Sequence, residues 1–205
     1  MSDEEGFLQT IIANPDDDAP RLVYSDWLED HGYLDRAEFI RVQCELARMS
    51  KDDLRFAELD RRERGLRKAH FEEWIAPLRA VTHFYKTLSE FRRGFVEYIQ
   101  IRGAAFLEKG PVLFEMSPIR RLEILAAGAE FVRIVMTPCL ARLTELRLYG
   151  VGHLTREQVR TIVRSPFVSQ LRVLFLPAQM APSSRRELLA KFGERIQQPQ
   201  LRPTE

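Results

Sequence analysis

The stretch Leu143-Thr144-Glu145-Leu146-Arg147-Leu148 decides how this 205-residue chain folds. Its residues follow the order apolar-x-x-apolar-x-apolar, which is typical of a strand with one buried face. The same order occurs in three further copies, at Val96, Ile99 and Ile101; at Ile119, Leu122 and Ile124; and at Leu171, Leu174 and Leu176. The middle apolar residues of successive copies are 23, 24 and 28 residues apart. A period of this size indicates that one strand-containing unit is repeated along the chain.

The segments between the copies carry helix signals. Three of them end alike, at Ser117-Pro118, Thr137-Pro138 and Ser165-Pro166, because a residue that precedes proline is pushed out of the helical conformation. Thr155 with Gln158 and Ser184 with Glu187 are predicted capping boxes that begin two of the helices. Such units bury their apolar strand and helix faces by stacking. The residues therefore predict an α/β fold with a parallel sheet of about four strands.

This half of the chain, residues 91–205, resembles the leucine-rich-repeat family. The resemblance implies a short solenoid with its helices outside and a C-terminal capping helix at 184–195. The family often places Asn or Cys in the turn after each strand, where this chain has Ala104, Ala127, Val151 and Gln179. The turns must therefore satisfy their backbone groups in another way.

The first fifty residues predict three short helices. Ser2 and Glu5 form a predicted capping box, Asn14-Pro15 ends the first helix, and Asp18 is the predicted N-cap of the second. Gly32 ends the second helix, and the third begins at Asp35. A core of this size is marginal by itself, so we expect it to rest on the residues that follow.

Within this region, Tyr24-Ser25-Asp26-Trp27-Leu28-Glu29 and Arg36-Ala37-Glu38-Phe39-Ile40-Arg41 resemble the bacterial repeat-companion domain. The resemblance covers about residues 5–49. The family occurs at the N-terminus of diverse proteins, often ahead of leucine-rich repeats, and has no established catalytic activity. The resemblance thus implies a modular protein with domains at 1–50, 51–90 (a helical connector) and 91–205.

Charge is divided unevenly between these regions. Residues 1–50 contain four basic and twelve acidic residues, a net charge of −8, whereas the other 155 contain 27 basic and 18 acidic residues, a net charge of +9. Such asymmetry predicts electrostatic docking of the acidic head against the basic remainder.

Alternation along the predicted strands selects the candidate binding residues, since every second side chain faces the same side of a sheet. We call this surface the repeat face and expect it to be concave; it consists of Tyr98, Gln100, Arg102, Arg121, Glu123, Glu145, Arg147, Tyr149 and Phe175. Tyrosine and arginine are enriched at binding hot spots. The alternative is that cross-strand pairs, such as Glu123 with Arg102 or Arg147, only neutralise each other.

The sequence indicates no enzyme. It contains no nucleophile elbow, P-loop or HExxH motif, and Gly150-Val151-Gly152 is interpreted as a repeat turn. We predict no catalytic residues, no metal, no cofactor and no small-molecule substrate. Asp26, Asp30 and His31 are interpreted as helix-surface residues, and Cys44 and Cys139 suit a reducing compartment.

These observations favour a noncatalytic protein–protein interaction module, a scaffold or accessory subunit of a larger bacterial assembly. The alternative is a nucleic-acid-binding accessory protein that uses the Arg-rich repeat body. A cytoplasmic location and no membrane contact are expected, because the chain has no apolar run of about 18 residues and begins with acidic residues.

Overall fold

The computed structural model of the protein describes residues 2–82, 89–176 and 179–197. It is a mixed α/β structure with helices at its N-terminus and a mostly parallel sheet. The helices are α1 (Asp3–Ala13), α2 (Ala19–Asp30), α3 (Leu34–Arg48), α4 (Phe56–Thr82), α5 (Gly103–Met116), α6 (Phe131–Val135), α7 (Arg156–Arg164) and α8 (Pro182–Phe192). The strands are β1 (Ser89–Arg92), β2 (Phe95–Arg102), β3 (Arg121–Leu125), β4 (Glu145–Leu148), β5 (His153–Leu154), β6 (Val173–Phe175), β7 (Gln179–Met180) and β8 (Ile196–Gln197).

The four predicted strands are neighbours in one sheet and run parallel. Their middle apolar residues lie side by side, Ile99 against Leu122, Leu122 against Leu146, and Leu146 against Leu174. All four side chains are at most 1% exposed. The spacing therefore predicted both the pairing and its register.

The predicted strand number is wrong, because within the described residues the sheet has six strands in the order β1-β2-β3-β4-β6-β8. The two additional strands are short and lie at the two ends of the sheet. Neither β1 nor β8 contains the repeated apolar order, so the periodicity could not reveal them. Because β8 pairs with β6, the last predicted strand is not the edge of the sheet.

Backbone hydrogen bonds repeat along with the strands. The carbonyl oxygen of Arg120 accepts from the N–H groups of Thr144 and Glu145, and that of Thr144 accepts from those of Arg172 and Val173. Two of the turns without the family's Asn are satisfied by backbone too. The N–H of Ala127 donates to the carbonyl oxygen of Tyr149 at 2.8 Å, and that of Gln179 donates to Gly152 at 3.0 Å.

The predicted helix beginnings are partly confirmed. The capping boxes of Ser2 with Glu5 and of Thr155 with Gln158 are both present. Asp18 is the residue before α2, but its side chain makes no capping bond and instead accepts from Arg48 and Arg93. The capping box predicted for Ser184 is wrong, because α8 already begins at Pro182, whose fixed φ suits a first helical position.

The described residues form two compact units. The first contains residues 2–82, 89–97 and 112–118, and the second contains residues 98–111, 119–176 and 179–197. In the first unit, helices α1 to α3 pack around Ile11, Leu28, Ile40 and, from the start of β2, Phe95. The head thus shares its core with a strand that begins 45 residues after its own end. Among the described residues, no helix is both long and apolar enough to cross a membrane.

Candidate partner-binding face

The structure brings most of the predicted binding residues together in the second unit. Register aligns Tyr98, Arg121 and Glu145 in one row, and Gln100, Glu123, Arg147 and Phe175 in the next. Each of these side chains is half-buried, and the residues between them on the same strands are buried. Arg102 follows at the end of β2 and is exposed, and Tyr149 follows β4 directly. The repeat face is therefore one continuous surface whose residues are partly accessible.

One end of the repeat face is aromatic. The rings of Tyr149 and Phe175 lie 5.1 Å apart in a tilted arrangement. The guanidinium of Arg147 lies over the Phe175 ring at 5.8 Å and also pairs with Glu145. Contacts of this kind hold large side chains in fixed positions, which lowers the entropy lost when a partner binds.

The other end is organised around a single carboxylate. Glu123 accepts hydrogen bonds from the hydroxyl of Tyr98 at 3.0 Å and from the amide of Gln100. Burial and the Glu123 carboxylate raise the pKa of Tyr98, so this hydroxyl stays a neutral donor. The alternative considered above, an ion pair of Glu123 with Arg102 or Arg147, is not found among the described residues, in which this carboxylate accepts from Tyr98 and Gln100 on β2.

The remaining sequence candidates take structural roles. Asp26 pairs with Arg41, and Nδ1 of His31 lies 2.7 Å from the carbonyl oxygen of Trp27, on whose ring the imidazole stacks. Within the described ranges, no group of three His, Cys, Asp or Glu side chains could hold a metal ion. Burial raises the pKa of both the Cys44 and the Cys139 thiol to about 11, which keeps them protonated and weakly nucleophilic at neutral pH.

Sequence reasoning missed a buried charge network in the first unit. Arg21 is fully buried and donates to Glu97 at 2.9 Å, to Pro15 and to Arg93, and Arg93 itself contacts Glu97 and Asp18. The signal was present, since Arg21, Tyr24, Ser25 and Leu28 share the buried face of α2 at helical spacing. An arginine on an otherwise apolar helix face predicts an ion pair with a carboxylate from another part of the chain, because a buried charge needs a partner.

No protein-family model, curated protein or solved structure matches the chain. The repeat face and the buried network are therefore interpreted from their own geometry.

Proposed function

We propose that the protein is a noncatalytic protein-binding module, an accessory subunit or scaffold of a larger bacterial assembly, and that the repeat face contacts its protein partner. The observation that carries this proposal is the in-register array of half-buried tyrosine, arginine and phenylalanine side chains on strands β2, β3, β4 and β6. The same array supports interpreting these strands as degenerate leucine-rich repeats, and the acidic helices as a repeat-companion domain.

The size of the repeat face limits how a partner binds. Four strands about 4.8 Å apart span about 15 Å. A stable interface needs about 800 Å² from each partner. The partner therefore also contacts helices that adjoin the sheet.

Nucleic acid is the less favoured partner. Glu123 and Glu145 lie among the arginines of the repeat face, and Arg147 already pairs with one of them. Acidic groups in this position repel a phosphate backbone. The high arginine content alone therefore does not make nucleic acid the favoured partner.

The test is affinity capture with the full chain from its native host, combined with quantitative mass spectrometry. The test variant carries Tyr149→Ser and Phe175→Ser, which removes the aromatic end of the repeat face. The control variant carries Tyr33→Ser and Leu54→Ser, two exposed large hydrophobic residues of the first unit, outside the repeat face and its adjoining helices. Circular dichroism verifies that both variants fold.

A protein that the wild type and the control retain, and that the test variant loses at least tenfold, supports the proposal. Equal recovery by both variants contradicts binding at this face. Loss of all captured material on nuclease treatment would instead favour the nucleic-acid alternative.

A further inference from the structure

The first unit contains a cavity of about 540 Å³ that the proposed function does not use. This volume falls within the range of about 300–1,000 Å³ that is common for small-molecule sites. Its walls are mainly apolar and include Leu8, Trp74, Leu78, Phe91, Phe95 and Met116. A cavity with these walls favours an apolar ligand.

One cation, Arg36, lines this apolar cavity. Its guanidinium carbon lies 4.8 Å from the Trp74 ring centre and 5.4–5.7 Å from those of Phe39, Phe91 and Phe95. Nη2 donates to the carbonyl oxygen of Gly94, but the buried Nη1 has no hydrogen-bond partner. A buried charged donor without an acceptor is costly, so an unpaired Nη1 calls for a missing acceptor.

Arg21 is a buried arginine of the same unit that does have a carboxylate partner, although its Nε, like Nη1 of Arg36, has no hydrogen-bond partner. Its guanidinium pairs with the Glu97 carboxylate, and both of its terminal nitrogens donate. Arg36 has no carboxylate within ion-pair distance among the residues that the structure describes. Burial accordingly lowers the pKa of Arg36 to about 10, and a bound anion would oppose this effect.

The other polar groups of the cavity are already engaged. The Tyr24 hydroxyl donates to Glu4 at 2.8 Å, the Gln9 amide donates to the carbonyl oxygen of Glu115, and the Ser117 hydroxyl donates to that of Val96. Nη1 of Arg36 is therefore the donor that can form a hydrogen bond to a ligand without giving up an existing one. The exposed carboxylates of Glu5 and Glu115 also line the cavity and disfavour a ligand with several negative charges.

We propose that this cavity binds a small apolar monocarboxylate, with the carboxylate accepting from Nη1 of Arg36 and the hydrocarbon part against the apolar walls. Nη1 is shielded from water among the four rings, so a small rotation of the guanidinium toward the cavity is part of binding. Nη1 has no hydrogen bond to lose, but the planar guanidinium moves as one group, so the bond from Nη2 to Gly94 adjusts with the rotation. The molecule is a bound ligand and undergoes no reaction.

The probe is octanoate, and its matched neutral and cationic analogues are 1-octanol and octylamine. Isothermal titration calorimetry on the full chain should give one octanoate site with a dissociation constant below about 1 mM. The analogues should bind at least tenfold more weakly, because neither offers a carboxylate to Arg36. In a Trp27→Phe variant, the remaining tryptophan is Trp74, whose fluorescence should change with the same dissociation constant.

Two variants locate the site. Arg36→Met removes the cation, Met116→Trp fills the cavity and keeps the cation, and each should weaken octanoate binding at least tenfold. Arg64→Met, a matched change at an exposed residue of α4, should leave binding unchanged. If Arg36→Met does not fold, Met116→Trp decides the question.

Three results would overturn the proposal. These are octanol binding as tightly as octanoate, unchanged binding by a folded Arg36→Met or by Met116→Trp, and no saturable heat up to about 10 mM octanoate, a concentration that would reveal even millimolar affinity.

Discussion

At the scale of single residues, Gly94 is the backbone position at which two side chains of α3 converge. Its N–H donates to Oε1 of Gln43 at 2.7 Å, and its carbonyl oxygen accepts from Arg36. Its φ of +87° is left-handed, and an added Cβ would lie 2.4 Å from Cγ1 and 3.0 Å from Cα of Ile40. Both the conformation and the close approach therefore require glycine. Arg36 and Gln43 thus attach α3 to this turn through the two backbone groups of Gly94.

We predict that Gly94→Ala lowers the free energy of unfolding by at least about 2 kcal/mol, from left-handed strain and from overpacking against Ile40. Gly32→Ala is the matched control, because its φ is +83° but no atom lies within 4 Å of the added Cβ. The control should lose about 1 kcal/mol, the strain alone. Urea unfolding of both variants measures the difference, and equal losses would contradict the role assigned to Ile40.

At the scale of secondary-structure elements, the repeated Ser/Thr-Pro sites have different tasks. The Ser165 hydroxyl donates to the carbonyl oxygen of Val135 at 2.6 Å, and the Ser117 hydroxyl donates to that of Val96 at 2.7 Å. Both bonds are buried and join segments more than twenty residues apart. Thr137, in contrast, donates to the carbonyl oxygen of Arg133, four residues earlier, in an exposed hydrogen bond. One sequence signal thus marks three helix ends, but only two of them attach to another segment.

Ser165→Ala and Ser117→Ala should each lower the free energy of unfolding by about 1–3 kcal/mol, because each leaves a buried carbonyl oxygen without its donor. Thr137→Ala should change it by less than about 0.5 kcal/mol. Denaturant midpoints and slopes of the three variants provide the measurement. A loss at Thr137 as large as that at the serines would show that the helix stop, rather than the long-range bond, is what stabilises.

Helices α3 and α4 are joined by a bond that depends on pH. Nε2 of His70 lies 2.9 Å from Asp35, and Nδ1 lies 2.9 Å from Glu73. The hydrogen bond with Glu73, followed by that with Asp35, raises the pKa of His70 above its ordinary value of about 6.5. The folded protein then holds this proton more tightly than the unfolded chain does. The stabilisation is complete below about pH 6.5 and is lost as the pH rises through the raised pKa.

The difference in unfolding free energy between wild type and His70→Gln should therefore shrink from pH 5.5 to pH 8.5. Because the pair lies near the surface, the change should be below about 1 kcal/mol. Urea unfolding at the two pH values measures it, with His153→Gln at an exposed strand residue as control. A difference that grows with pH would contradict the assignment.

The elements also show where sequence reasoning succeeds. Strands β2, β3, β4 and β6 could be placed in register, because alternation and a fixed period both constrain them. The short strands β1 and β8 could not, since hydrogen bonding to a neighbour rather than their own pattern makes them strands. Likewise, alternation predicts that Glu123 lies on the repeat face. Its hydrogen-bond partners could not be predicted, because they depend on the length and rotamers of side chains on the neighbouring strand. The hydrophobic period could not predict the Arg36 cavity, because residues from six separate segments of the chain line it.

At the scale of the whole molecule, part of the charge difference between residues 1–50 and the rest of the chain can be assigned to particular ion pairs. Carboxylates of the head pair with arginines that follow residue 50 in the same unit, Glu45 with Arg55, Glu38 with Arg62, and Asp18 with Arg93. In the most buried pair the charges are reversed. The head supplies the arginine, Arg21, and β2 supplies the carboxylate, Glu97. The net charges of the two regions predicted attraction between them, but not this pair, whose strength depends on burial rather than on net charge.

A fragment of residues 1–50 should consequently fail to fold, although it contains the whole of helices α1, α2 and α3. In that fragment Arg21 loses Glu97, Gln43 loses Glu63 and Gly94, and the core loses Phe95. Unpaired buried charges and a small core together leave too little stabilisation. A fragment of residues 1–118, which retains every described residue of the first unit, is the control and should keep a cooperative thermal transition. Circular dichroism during heating distinguishes the two, and cooperative unfolding of the 1–50 fragment would show that the buried network is dispensable for the fold of the head.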